Sequence, residues 1–176
     1  MARFAPLIFV AALFGMFLYL MTQDDRNIRE IKSVLIGKPV PAFSLPGLSA
    51  DAEGLTSADL KTGEPVLVNF FASWCVPCRA EHDSLMALAG DHGVKIIGVA
   101  YKNEPARALA FLDELGNPFA RTASDLNGRL AIDFGVTGVP ETFIIDGSGV
   151  ITYRHWGPIV GDSLEAKLLP ALEDAR

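Results

Sequence analysis

The chain has 176 residues, half of them hydrophobic and a fifth charged, with a formal net charge of −6. That length holds one core of about 140–150 residues plus a short appendage, and the balance is that of a folded chain rather than a disordered one. With no basic stripe and no run of like charge, nucleic acid is excluded as the natural partner, because phosphate binding needs clustered Lys and Arg.

Residues 4–21, FAPLIFVAALFGMFLYLM, carry no charge, and Arg3 is the only charged side chain among the first 23. As a helix this run is roughly 27 Å long, close to the ~30 Å hydrocarbon core of a bilayer. Residues 1–21 are therefore expected to form an N-terminal transmembrane helix that anchors the chain. The alternative is a cleaved signal peptide, but FLYLMTQDD offers no small-residue cleavage site. Arg26, Arg29 and Lys32 follow the segment, and a positive-inside count alone would keep the following domain inside; large domains can translocate regardless of that count. Residues 22–36, TQDDRNIREIKSVLI, read as a tether, and 37–176 as the folded domain.

Within 37–54, Pro39, Pro41 and Pro46 surround isolated apolar positions, which suits extended edge structure and turns. PVLVNFF, 65–71, is a nearly continuous apolar run, as in a central strand buried on both faces. A helix is expected from Val76 or Pro77 to about Ala89, with proline in its first turn, where a missing N–H costs nothing. VKIIGVAY, 94–101, is a second buried strand, and EPARALAFLDELG, 104–116, a helix stopped by Gly116. A short strand is expected at 119–122 and a helix over 124–135, capped by Ser124 or Asp125. The DGSG between the β-rich halves of 141–157 marks a hairpin, and a last helix over 162–175 should kink at Pro170. Strand-helix-strand units pair parallel and a short hairpin pairs antiparallel. The expected fold is thus an α/β sandwich of thioredoxin type, a mixed central sheet with helices on both faces.

The only two cysteines, Cys75 and Cys78 in FFASWCVPCRAEH, fall where the central strand gives way to a helix. Unpaired N–H groups at a helix N-terminus favour a thiolate, which makes Cys75 the nucleophile and places Cys78, one turn on, to resolve a mixed disulfide. A structural staple would close only a tiny loop. A zinc site would have to draw on Cys75, Cys78, His82 and His92 at an unusual spacing with no second Cys pair. Covalent haem requires His directly after the second Cys, where this chain has Arg79. No metal is expected, and no cofactor beyond the redox-active disulfide. Val76 and Pro77 bring no charge or hydrogen bond to the Cys75 sulfur, which favours a reductant over a strong oxidant. In GVPE, 138–141, a cis Val139–Pro140 bond would present Val139 backbone groups beside the sulfurs to an extended substrate; spacing alone leaves cis and trans equally open.

GKPVPAFSLPGL, NFFASWCVPCRAEHDSL and GVTGVPETFIIDGSGVITYRHWG, behind an apolar N-terminal segment, resemble the CcmG/DsbE-type thiol:disulfide interchange proteins of cytochrome c biogenesis, over residues 37–176. The resemblance implies a single-pass bacterial inner-membrane protein with its catalytic domain in the periplasm. It implies a protein-disulfide reductase that keeps the haem-binding cysteines of apocytochrome c reduced, directly or through another maturation protein, with electrons from a membrane thiol-disulfide transporter. It further implies that Pro140 is cis and that Glu81 and Glu141 are acidic groups near the site; otherwise they are a solvated helix residue and a loop residue. Thioredoxins commonly carry a buried Asp six residues before the first Cys, where this chain has Asn69, so Glu81 or Glu141 is expected to assist deprotonation of Cys78. Trp74 is expected beside Cys75 as a partner contact, with core packing as the alternative.

Competing functions are a general envelope thiol oxidase or isomerase and a non-enzymatic apocytochrome chaperone. A peroxidase, suggested by GKPVPAF, would want a Thr near a lone Cys, which ASWCVPC lacks.

Overall fold

The computed structural model describes residues 5–23 and 33–176, in two compact units that divide between Lys32 and Ser33. The first contains α1 (Ala5–Gln23), a 19-residue helix whose side chains are described at Leu7 and residues 9–19. Among the described residues no helix is long and apolar enough to cross a membrane. Residues 24–32 of the expected tether lie outside the described residues.

The second unit is built on β3 (Val66–Phe71), whose six residues are all buried. A strand sends alternate side chains to opposite faces, and a strand apolar throughout needs cover on both. Leu67 and Phe71 pack with Leu85 and Leu88 of α2 (Val76–Gly90) and Phe111 and Leu112 of α3 (Pro105–Leu115). Val66, Val68 and Phe70 face Leu130 of α4 (Arg129–Asp133), Phe134 and the N-terminal Val40, Leu55 and Leu60. Phe70, Phe134 and Phe143 lock this second face, with ring centroids 5.3–5.8 Å apart.

β3 is the central strand of a five-stranded sheet. β4 (Ile96–Tyr101) pairs parallel with β3 and with β5 (Arg121–Asp125), whereas β6 (Glu141–Ile145) pairs antiparallel with β3 and with β7 (Ile151–Trp156). The sheet is mixed and covered on both faces, as expected. The 146–149 turn is closed by Gly149 N–H donating to the Asp146 carbonyl at 2.9 Å. Gly149 there has φ +89°, and a Cβ on Gly147 would lie 2.4 Å from the Gly63 backbone. The segment before β3 forms the short antiparallel pair β1 (Ser44–Leu45) and β2 (Leu55–Thr56), with single bridges from Pro39 to Val150 and from Gly47 to Ala123.

Two expectations need correction. The strand expected at 119–122 runs instead over Arg121–Asp125, and the helix expected over 124–135 shrinks to Arg129–Asp133. Ser124 and Asp125 complete the ladder with β4, and Gly128 at φ +71° turns the chain into the helix. Asp125 does cap that helix, but from the strand end: its buried carboxylate accepts Leu130 N–H at 3.2 Å and Ala131 N–H at 2.9 Å. At the C-terminus, a π-helical turn (Leu164–Leu168) runs into α5 (Leu169–Asp174), with Pro170 in the first turn of α5. In the wider turn upstream, Leu169 N–H donates to the Leu164 carbonyl five residues back.

Asp125→Ala leaves two buried N–H donors without acceptors and is expected to cost roughly 2–3 kcal/mol in chemical denaturation. Asp133→Ala, which breaks the exposed Arg129–Asp133 pair, should change stability by about 0.5 kcal/mol or less. Equal losses for the two would refute this account of the turn.

Candidate active site

Cys75 follows β3 and is the N-cap of α2, with Cys78 in the first turn. The two form a disulfide, and both side chains are buried, at 4% and 2% exposure. Cys78 N–H points at the Cys75 sulfur, 3.0 Å away. This is the donor that a helix N-terminus offers to a thiolate once the bond is reduced. Pro77 also lies in the first turn and leaves the helix intact.

From the other side, the Val139 carbonyl oxygen lies 3.4 Å from Cys75 Sγ. The Val139–Pro140 bond is cis, the isomer that the resemblance implied. Glu141 holds this loop. Its Oε1 accepts Thr137 N–H at 2.8 Å, the Thr137 hydroxyl at 2.7 Å and Gly138 N–H at 3.2 Å. Its Oε2 pairs with Arg154, 2.8 Å from Nε and 2.7 Å from the terminal nitrogen. Glu141 is fully buried and Arg154 nearly so. These donor contacts occupy the acceptor positions of both carboxylate oxygens and tie the loop to β7.

Glu81 is buried too, with a sparser set of partners. Its Oε2 accepts Ile159 N–H at 2.9 Å, and its Oε1 accepts Asn69 Nδ2 at 2.9 Å. Burial pushes its pKa up to about 7, against the smaller opposing effect of these two hydrogen bonds. Cys78 and Glu81 are three residues apart on α2, a spacing that puts both on one face. Asn69 also donates to Thr142 Oγ1 at 3.0 Å, while its own Oδ1 is buried without a hydrogen-bond partner. Turned over, the same amide would accept hydrogen bonds through Oδ1 from a neutral Glu81 and from the Thr142 hydroxyl. Asn69 can therefore serve either protonation state of the acid.

Trp74 is 58% exposed, so core packing is not its role. Its indole N–H donates to the Lys102 carbonyl at 3.2 Å, and its ring lies 6.4 Å from that of Tyr101. Arg79, where haem attachment would need a His, makes a two-pronged pair with Glu114 of α3 at 2.7 and 3.1 Å. His82 contacts the Gly116 carbonyl at 2.9 Å and the edge of Phe111.

The chain matches the Redoxin family over residues 35–168. It is 43% identical to the thiol:disulfide interchange protein HelX of Rhodobacter capsulatus, covering 96% of this chain and 94% of that one. It is 39% identical to DsbE of Escherichia coli, covering 96% and 91%. The crystal structure of a DsbE-type protein from Chlorobium tepidum superposes with a TM-score of 0.63 at 31% identity, covering 78% of this chain and 97% of that one. The chain belongs to the DsbE/HelX-type thiol:disulfide interchange family.

It is accordingly a thiol-disulfide oxidoreductase with a thioredoxin-like fold. Sequence reasoning on this DsbE/HelX-type domain missed two supports of the site. Asn103, buried after β4, accepts Ser73 N–H with its Oδ1 and so fixes the turn before Cys75. Thr137 joins the Glu141 carboxylate to Arg154 and to the indole of Trp156. A single sequence holds no signal for either, since both act through contacts between distant segments.

Glu81 gives a pH test. It is neutral in both folded and unfolded chains below about 4.5 and charged in both above about 7. Between those limits only the folded state holds the proton, so the stabilising effect of the neutral acid is complete at low pH and lost as pH rises through 7. The wild-type oxidised domain should lose roughly 3 kcal/mol across this window relative to Glu81→Gln. Parallel stability curves for the two proteins in urea would contradict this assignment.

Proposed function

We propose that this oxidoreductase is a membrane-tethered periplasmic reductant that keeps the haem-binding cysteines of apocytochrome c reduced, directly or through a maturation protein. In the reaction, the Cys75 thiolate attacks one sulfur of the partner's disulfide, forms a mixed disulfide and expels the other sulfur as a thiolate. The Cys78 thiolate then attacks Cys75, releasing the partner as a dithiol and leaving the Cys75–Cys78 disulfide. The partner gains two electrons and the pair loses two, to be restored by a membrane thiol-disulfide transporter. Glu81, rather than the saturated Glu141, takes the proton from Cys78, through water where the two do not touch.

The observation that carries the reductive direction is what surrounds Cys75 Sγ: one N–H donor, from Cys78, and one carbonyl oxygen, from Val139. A strong oxidant owes its potential to a well-stabilised thiolate in the reduced form. Here one backbone donor is opposed by a carbonyl lone pair, so the reduced form gains little. Trp74, Val139 and Pro140 contribute the surface on which the partner chain lies, with Glu141 holding the loop. The tether is assigned to the uncharged apolar run of residues 4–21; the similarity to HelX and DsbE, over 96% of this chain, reaches beyond the folded domain.

Equilibration with glutathione should give a potential nearer ~−270 mV than ~−120 mV. In cells, Cys78→Ser stalls the reaction at the mixed disulfide and should capture apocytochrome c or its maturation proteins in the membrane fraction. A potential near that of the strong oxidants, or capture of unrelated envelope proteins alone, would favour a general oxidase or isomerase instead. Full cytochrome maturation by Cys75→Ala would point to a non-enzymatic chaperone.

A further inference from the structure

Four large apolar side chains at the active-site end of the domain are exposed rather than packed: Trp74 at 58%, Val76 at 80%, Trp156 at 54% and Val160 at 44%. The first two flank Cys75, and Val160 follows Ile159, whose N–H binds Glu81. Trp156 has no part in the chemistry described so far, yet it is tied to the loop that faces the sulfur. It ends β7 opposite Glu141, and its indole N–H donates to Thr137 Oγ1 at 3.1 Å. The next residue, Gly157, donates its N–H to the Pro140 carbonyl at 3.1 Å. An indole pinned by a hydrogen bond and still half exposed offers a large contact face with little side-chain freedom left to lose on binding.

We propose that Trp156 is a specificity-determining residue for polypeptide substrates: its indole receives an aromatic or branched aliphatic side chain that lies two or three residues from the substrate cysteine engaged by Cys75. The occupant is an extended, cysteine-bearing chain, because Trp156 is bonded through Thr137 to the same loop whose Val139 carbonyl lies 3.4 Å from Cys75 Sγ. Thr137, which holds the indole, precedes Val139 by two residues, at most ~7 Å of chain. A strand laid along this loop with its cysteine at Cys75 therefore brings a side chain to Trp156 within two or three residues. The inference rests on exchange at Cys75 and is independent of which polypeptide is reduced in the cell.

The test uses the reduced full chain and two glutathione-capped cysteine peptides, one with Leu or Phe two and three residues from the cysteine and a twin with Ser at those positions. Second-order rate constants for oxidation of the Cys75–Cys78 pair, with release of the peptide thiol and glutathione, are read by quenched mass spectrometry. The wild type should prefer the apolar peptide by about tenfold, the scale of one well-placed apolar contact. Trp156→Ala should bring the ratio close to one, whereas Trp156→Phe, which keeps a ring but loses the bond to Thr137, should retain most of it. An unchanged ratio in Trp156→Ala would overturn the proposal. So would equal slowing toward both peptides with a shifted Cys75 pKa, which would make the indole a support of the loop. A dimer in sedimentation that Trp156→Ala dissolves would overturn it too, by assigning the indole to a self-interface. If the wild type reacts with neither peptide, exchange at Cys75 falls and the inference with it, a result distinct from full reactivity without preference.

Discussion

The buried ion pair between Glu141 and Arg154 is the contact on which the geometry of the sulfur depends. The Glu141 carboxylate gathers two backbone N–H groups and a hydroxyl from 137–138 and a guanidinium from β7. These donors hold in place the turn that carries Val139 to the Cys75 sulfur. Burying a charge is costly unless its partners are complete, and here they are. The result is a rigid wall on one side of the disulfide, opposite the helix N-terminus on the other.

The two buried carboxylates divide the work because their surroundings differ. Glu141 is saturated by donors and paired with a cation. Glu81 has only the Ile159 N–H and the Asn69 amide, too little to offset its desolvation, so its proton is held up to about neutral pH. One carboxylate is thus given over to holding the loop, while the other, with fewer donors, keeps the proton on which the proposed exchange at Cys78 draws. Asn69 keeps the arrangement single-valued: an Asp there would set a second carboxylate against Glu81 and make the two share a proton.

Much of this was legible in the sequence where the signal is local. The apolar run of β3, the cysteines at its end, the DGSG turn and the order of parallel and antiparallel pairs follow from period and turn chemistry. The strand and helix around Asp125 were misread because Ser and Asp there look like a helix cap. Only the neighbouring strand β4 shows that they finish a ladder first. The environments of Glu81 and Glu141 could not be read at all, because their partners lie 78 positions away in Ile159 and 13 away in Arg154. Trp156 reads as the end of a hairpin in the sequence, and its position beside the loop that carries Val139 arises from the pairing of β7 with β6.

The segment before β3 touches both margins of the sheet. Near Pro39 it bonds to the turn beside β7, with Val40 N–H on the Gly149 carbonyl, and near Gly47 it meets β5, where Ser124 N–H binds the Pro46 carbonyl. An unguarded outer strand invites any passing extended chain to add itself by backbone pairing. On the proposed function, with unfolded cysteine-bearing polypeptides as partners, that hazard arises at every encounter. By strapping one end of each outer strand with its own backbone, the domain discourages capture at the sheet margins and leaves the loop at Val139 as the place where a foreign strand can settle.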